Sequence, residues 1–96
     1  MKELSWEEWK ALEQKGEPFA LLDVREAAER DAYNIGGIWI PLGEIMQRYT
    51  EIPQDVPVIV YCRKGIRSGI AIQRLEARFG WTHLFNLKGG LRVPSL

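Results

Sequence analysis

The sequence predicts an α/β fold in which helices cover both faces of a mainly parallel central sheet. Short apolar runs typical of buried strands alternate with longer segments that carry helix patterns and caps. Glycine and proline residues separate several of these segments. This alternation is typical of layered α/β proteins, and a length of 96 residues fits one domain over residues 1–96.

The predicted strands are four short runs of branched and aromatic residues. Pro57 precedes one of them and Pro41 ends another, and proline disfavours the interior of a sheet. The runs cover residues 19–24, 38–40, 58–61 and 84–87.

The predicted helices alternate with these strands. Ser5 and Glu8 form a capping-box pattern, and Trp6, Trp9 and Leu12 fall on one helical face before Gly16 ends the helix. We read these aromatic residues as core packing. Further helices are predicted over residues 26–31, 42–49 and 68–79, the last ended by Gly80.

Composition excludes several classes of function. The formal net charge is zero, and no aromatic residue interleaves the basic loop described below, which argues against nucleic-acid binding. No signal peptide or membrane-length apolar stretch is visible, so we expect a cytoplasmic protein without a membrane partner. A single cysteine excludes an internal disulfide and any Cys-x-x-Cys motif, and we expect neither a metal nor a cofactor.

That cysteine, Cys62, opens a loop between a predicted strand and a predicted helix. Arg63, Lys64 and Arg67 place three cations within five residues, and no carboxylate lies between residues 61 and 73. These charges and the helix N-terminus should lower the thiol pKa from its free value of about 8.5. Gly65 suits a tight curl whose backbone N–H groups surround an anionic sulfur.

Two simpler interpretations compete with an activated thiol. Cys62 could be an inert buried residue at a strand end, although such a residue needs no cations beside it. A Cys–His dyad would require His83, the one histidine, which lies in a predicted connecting loop. We favour a thiolate made by electrostatics alone, which suits chemistry with an acidic leaving group.

A second polar pair follows the strand predicted over residues 19–24. Asp23 and Arg25 lie near its carboxyl end, as Cys62 does for its own strand. In open α/β sheets, ligand sites collect beyond the carboxyl ends of the strands. We therefore expect the two loops to share one face.

At this point the chain resembles the single-domain rhodaneses. Four ordered segments carry the resemblance, and together they extend over nearly the whole chain. They are Leu-Leu-Asp-Val-Arg-Glu at 21–26, Tyr-Asn-Ile-Gly-Gly-Ile-Trp-Ile-Pro-Leu at 33–42, Val-Tyr-Cys-Arg-Lys-Gly-Ile-Arg-Ser at 60–68, and Asn-Leu-Lys-Gly-Gly at 86–90. Tyr33 and Ile35 stand where His and Pro are usual in that family, so the loop that contains them could differ in conformation from that of the family.

The resemblance implies a sulfurtransferase. Cys62 would attack the sulfane sulfur of a donor such as thiosulfate, become a persulfide, and pass the sulfur to cyanide, a thiol or a protein acceptor. Arg63 and Lys64 would meet the anionic donor, and the backbone of residues 63–67, including Gly65 and Ile66, would hold the persulfide. Arg67 would either contact the donor or tie the loop together. Asp23 and Arg25 match the Asp-x-Arg of the family, and we expect them to support the neighbouring loops, either structurally or by holding the residues that contact the sulfur.

Other functions on the same fold remain open at this stage. A related phosphatase would have five residues between the cysteine and the arginine, whereas four separate Cys62 from Arg67. An arsenate reductase would need a second thiol, which glutathione could supply. A non-catalytic binding module would not need the intact loop. A sulfur-relay carrier loaded by a cysteine desulfurase would keep the same cysteine.

Overall fold

The sheet is parallel throughout the part of the chain that the structure, a computed structural model, describes, which is residues 1–94. Its five strands are β1 (Lys2–Leu4), β2 (Ala20–Asp23), β3 (Ile38–Trp39), β4 (Val58–Tyr61) and β5 (Leu84–Leu87). They lie side by side in the order β1-β5-β4-β2-β3. The strand that precedes Cys62 is therefore central, where it is buried on both faces.

Three α-helices connect and cover the strands: α1 (Trp6–Lys15), α2 (Ala27–Ala32) and α3 (Ile66–Phe79). Ser5 caps α1, with the Ser5 hydroxyl accepting from the Glu8 N–H and the Glu8 carboxylate accepting from the Ser5 N–H. The α3 helix ends at Gly80, whose φ of 67° is the left-handed conformation that glycine adopts freely.

The two faces of the sheet hold two separate apolar clusters. Alternate residues of β4 point to opposite faces, so Val58 and Val60 pack in one cluster while Ile59 and Tyr61 pack in the other. The first cluster includes Ile72 of α3, and the second includes Trp9 of α1. Helices on both faces confirm the predicted architecture.

The predicted strands and helices agree with the structure to within one residue at each end, except in three places. The prediction missed β1, a short and largely exposed strand that pairs in parallel with β5. The predicted helix over residues 42–49 is wrong, because this segment forms single 3₁₀ turns at Leu42–Glu44 and Tyr49–Glu51. Gly43 weakens helix propensity there, and Ile45 and Ile52 anchor the segment to the core at separate points. Finally, α3 begins two residues earlier than predicted.

The register of β2 and β4 positions the site. Asp23 lies beside Tyr61, the residue before Cys62, and the Val24 N–H donates to the Tyr61 carbonyl. The carboxyl ends of the two strands therefore form one edge of the sheet. This agrees with the expectation that the loops after β2 and β4 share a face.

Candidate active site

Cys62 lies directly after β4 and is only 1% exposed to solvent. The Cys62 carbonyl accepts a hydrogen bond of 2.9 Å from the Leu91 N–H, which fixes the strand end against the segment after β5. The thiol therefore lies at a rigid position at the base of the loop that leads into α3.

The loop directs its hydrogen-bond donors at the sulfur. The Gly65 N–H lies 3.1 Å from Cys62 Sγ, and the Ser68 N–H lies 3.3 Å from it. The Ser68 hydroxyl oxygen is also 3.3 Å from Sγ. Because α3 begins at Ile66, these donors combine the loop with the first turn of a helix, whose N–H groups have no partner within the helix. The arrangement favours an anionic sulfur.

The thiol pKa is lowered, in the direction expected from sequence, and hydrogen bonds are the largest lowering cause. Burial raises the pKa of Cys62, and hydrogen bonds from the Ser68 side chain and from the N–H groups of Ser68, Lys64 and Gly65 outweigh burial. Formal charge contributes as well, because the charge of Cys62 is among the causes that raise the pKa of Arg67. The sequence therefore indicated the right direction, and the structure adds the fixed hydrogen-bond donors that lower the thiol pKa most.

Two glycines allow the loop to close around the sulfur. Gly65 has a φ of 89°, which a residue with a side chain rarely adopts. Gly90 packs its backbone against the Arg63 carbonyl so closely that a Cβ atom would overlap it. The turn at 88–90 therefore packs directly against the loop.

The three loop cations differ in their surroundings. Arg67 forms a two-pronged ion pair with Glu29 of α2, at 2.7 and 2.8 Å. Arg63 and Lys64 are exposed, and with Ile66 and Arg67 they line an open cavity of about 300 Å³ above the loop. Two roles were considered for Arg67, and this ion pair agrees with the role of tying the loop in place, because it connects Arg67 to α2. The contact of Arg67 with a donor stays a prediction.

Ser68 and Asn86 are site residues to which sequence reasoning assigned no role. The Ser68 hydroxyl donates to Asn86 Oδ1, and Asn86 Nδ2 donates to the Gly65 carbonyl at 3.0 Å. Both residues are buried. The available signal was Asn86 itself, an amide inside the apolar strand run at 84–87, because buried amides need partners. Glu29 was also missed, since nothing in the sequence brings α2 to the loop.

Asp23 and Arg25 form a buried ion pair beside the site. Arg25 Nε and Nη2 each lie 2.9 Å from an Asp23 carboxylate oxygen, and the Arg25 N–H also donates to Asp23 Oδ1. Arg25 Nη2 reaches the Tyr33 carbonyl at 2.7 Å. The contact with the Tyr33 carbonyl holds the loop that contains Tyr33 and Ile35. This loop is therefore anchored although Tyr33 and Ile35 stand where the family usually has His and Pro. A direct role of the pair at the sulfur stays untested.

His83 cannot be the base of a dyad with Cys62. The His83 carbonyl accepts from the Val58 N–H, which places His83 at the amino end of β4, while Cys62 lies at the carboxyl end. Four residues of extended strand span roughly 13 Å. The imidazole Nε2 instead lies 2.8 Å from the Pro53 carbonyl oxygen. The preference for an electrostatic thiolate over the dyad agrees with this geometry.

Comparison with known proteins identifies the family. Residues 5–93 match the rhodanese-like domain family. The chain belongs to this family. A rhodanese-like domain protein of Staphylococcus aureus superposes with a TM-score of 0.83 at 24% identity, over 99% of this chain and 100% of that one. At this identity the likeness shows the fold alone.

Three curated relatives cover most of this rhodanese-like domain. The uncharacterized protein YqhL of Bacillus subtilis is 43% identical over 96% of this chain and 71% of its own length. A sulfurtransferase of Allochromatium vinosum is 37% identical over 78% of this chain and 70% of its own. YrkF of Bacillus subtilis, provisionally described as a sulfur carrier, is 32% identical over 94% of this chain and 49% of its own.

The rhodanese-like domain has a second concave surface next to the loop. A groove of about 420 Å³ lies between α2 and the segment after β5, and both Arg25 and Arg63 line it.

No helix within residues 1–94 has the length and apolar character to cross a membrane. Across the same described range, no group of three or more His, Cys, Asp or Glu side chains converges as metal ligands would.

Proposed function

We propose that this rhodanese-like domain is a sulfurtransferase that carries a sulfane sulfur on Cys62 as a persulfide. The observation that carries the proposal is the cradle around Cys62 Sγ, with two backbone N–H groups at 3.1 and 3.3 Å. Fixed donors of this kind stabilise an anionic sulfur without a proton shuttle. The description of the Allochromatium vinosum relative as a sulfurtransferase supports the same chemistry.

The first half-reaction loads the sulfur. The Cys62 thiolate attacks the outer sulfur of thiosulfate, an S–S bond forms, and the bond to the sulfonate sulfur breaks with sulfite leaving. In the second half-reaction cyanide or a thiolate takes the outer sulfur, and the Cys62 thiolate returns. Cys62 is 1% exposed at the base of the loop, so a donor has to reach it with one projecting atom. The outer sulfur of thiosulfate is such an atom.

The rim of the site supports an anionic donor. Arg63 and Lys64 are exposed beside the cavity above the loop, where each can meet a sulfonate oxygen. Arg67 is already paired with Glu29, so it holds the loop that these two side chains flank. We assign donor binding to Arg63 and Lys64, with the persulfide held by the backbone from Gly65 onward.

A sulfur-relay carrier is the second candidate, supported by the likeness to YrkF. In that case a cysteine desulfurase loads Cys62, and another protein accepts the sulfur. The groove beside Arg63 would give a protein partner a concave surface next to the loop. Both candidates use the same persulfide and differ in the donor and the acceptor. We place either activity in the cytoplasm, where a free thiol stays reduced.

Intact mass tests the proposal. The purified protein is incubated with thiosulfate, with and without cyanide, beside a Cys62→Ser variant of unchanged circular dichroism. We expect a gain of one sulfur atom in the wild-type protein only, removed by cyanide with thiocyanate appearing. Loading only by a desulfurase and cysteine would favour the relay carrier. Sulfur retained by the Cys62→Ser variant, or no loading from any donor, would overturn sulfur transfer on Cys62.

A further inference from the structure

The Ser68 hydroxyl has one proton and two neighbours that can accept it. Ser68 Oγ lies 3.3 Å from Cys62 Sγ, and on its other side it donates to Asn86 Oδ1. A hydroxyl can donate only one hydrogen bond at a time. Ser68 therefore cannot donate to the sulfur and to Asn86 together.

The orientation of the Asn86 amide is determined by Gly65. The Gly65 carbonyl can only accept, so the Asn86 atom 3.0 Å from it must be the amide nitrogen. The Asn86 oxygen then faces Ser68 and can only accept the Ser68 proton. All three side chains of this chain of contacts are buried, so water does not readily replace a missing partner.

The position of the Ser68 proton therefore depends on the charge of the sulfur. A neutral Cys62 thiol can donate its own proton to Ser68 Oγ while Ser68 donates to Asn86. A thiolate cannot donate, and at 3.3 Å it would face a Ser68 lone pair unless the hydroxyl turns toward it. Asn86 thus competes with the sulfur for one proton, and a full negative charge on Sγ favours the sulfur.

We propose that Ser68 is a catalytic residue that donates its hydroxyl proton in a hydrogen bond to Cys62 Sγ as this sulfur leaves the persulfide, and that Asn86 accepts the same hydrogen bond in the uncharged states. This inference rests on the proposed function. An acceptor thiolate or cyanide forms a bond to the outer sulfur, the bond from Sγ to that sulfur breaks, and its electron pair goes to Sγ. A donor that engages only as charge develops lowers the barrier without stabilising the ground state.

Several charged groups lie at this edge of the sheet. Arg63 and Lys64 belong to the loop, Arg67 of α3 pairs with Glu29 of α2, and Asp23 after β2 pairs with both Arg25 and Arg30. The β5 strand contributes the neutral Asn86 on this side. A change at Ser68 or Asn86 therefore alters the alkylation profile of Cys62 without changing any charge.

The sign of two substitutions tests the assignment. The thiol pKa is measured from the rate of alkylation against pH, which needs no sulfur donor. Ser68→Ala should raise this pKa by about one unit, the value of one hydrogen bond to a charged group. Asn86→Ala should lower it, because the Ser68 hydroxyl is then free for the sulfur. Ser5→Ala removes a remote hydroxyl from the α1 cap and should leave the pKa unchanged.

The two half-reactions give a second readout. Above the thiol pKa of both proteins, Ser68→Ala should slow removal of the persulfide sulfur by about fivefold, because a more basic thiolate leaves more slowly. Loading should not slow at that pH, since the more basic thiolate is the better nucleophile. Equal losses in both half-reactions, or pKa shifts of the same sign for Ser68→Ala and Asn86→Ala, would indicate a merely structural role and overturn the assignment.

Failure of the proposed function has a different signature. If the wild-type protein loads no sulfur from any donor, there is no persulfide for Cys62 Sγ to leave. That result overturns the catalytic role of Ser68 together with sulfur transfer. A protein that loads normally, but whose alkylation profile is unchanged by Ser68→Ala, overturns the Ser68 assignment alone.

Discussion

Two adjacent strand ends at one edge of the sheet use their polar groups in opposite ways. After β2, the Arg25 guanidinium donates to both carboxylate oxygens of Asp23 and to the Tyr33 carbonyl. After β4, the N–H groups of Gly65 and Ser68 point at one sulfur atom. Both ends are buried. The first satisfies its charges internally and holds loops in place, whereas the second directs its donors at an atom that can change its charge.

This contrast separates stability from chemistry. A buried ion pair that is already fully bonded has little to offer a substrate, and removing one partner leaves a charge without compensation. A cradle of fixed N–H groups has the opposite character, because its value depends on the charge of the atom it holds. Substitutions at the end of β2 should therefore affect folding, and those at the end of β4 should affect reactivity.

The largest expected effect is on stability. Asp23→Asn leaves the buried Arg25 without its carboxylate, and we expect the free energy of unfolding to fall by about 3–5 kcal/mol. Urea denaturation measures the change. Glu13→Gln is the matched control, because it breaks the exposed Lys10–Glu13 pair and should cost less than about 1 kcal/mol.

The contrast between the ends of β2 and β4 requires that Asp23→Asn lowers stability with little effect on the reactivity of Cys62. In the folded Asp23→Asn protein, the midpoint of Cys62 alkylation should shift much less than in Ser68→Ala, because neither Asp23 nor Arg25 hydrogen-bonds to the sulfur. A shift as large as that in Ser68→Ala would show that the buried pair contributes to the reactivity of the sulfur after all.

An intermediate effect is expected at the rim of the loop. Arg63→Ala or Lys64→Ala should raise the KM for thiosulfate by about tenfold, since each removes a charged hydrogen-bond donor. The KM for a neutral persulfide donor should change much less, and stability should be unaffected because both side chains are exposed. Lys15→Ala, in the last turn of α1, is the control. Equal effects on both donors would contradict anion recognition by these residues.

The smallest effect concerns the ion pair that ties the loop to α2. Hydrogen bonds from Arg67 lower the pKa of Glu29 from 4.5 to about 2. Glu29 therefore stabilises the folded state above pH 4.5, and this contribution is lost as the pH falls from 4.5 toward 2. At neutral pH we expect Glu29→Gln to lower the free energy of unfolding by about 1 kcal/mol.

Urea denaturation at several pH values between 7 and 3 measures this dependence. The difference between the wild type and Glu29→Gln should shrink on acidification. Glu17→Gln, at an exposed position after α1, should show a smaller difference at neutral pH. A Glu29→Gln difference that stays constant down to pH 3 would show that its cause is not the charge of Glu29.

Local patterns determined most of the fold. The β4 and β5 strands have the predicted bounds, since Pro57 directly precedes the first run and Gly89 and Gly90 follow closely after the second. The α1 cap was predicted because a capping box is made within four residues. The β1 strand could not be predicted, since only its pairing with β5 makes three mostly exposed residues a strand.

The sequence by itself determined the family, the single cysteine after a buried strand and the cationic loop that follows it. Those features depend on residue type and on spacing within a few positions. Only the tertiary structure decided that hydrogen bonds lower the thiol pKa most, that Glu29 pairs with Arg67, and that Ser68 and Asn86 meet beside the sulfur. The reason is distance along the chain: Glu29 and Arg67 are 38 residues apart, and Ser68 and Asn86 are 18 apart. Packing of the helices against the sheet brings these partners together.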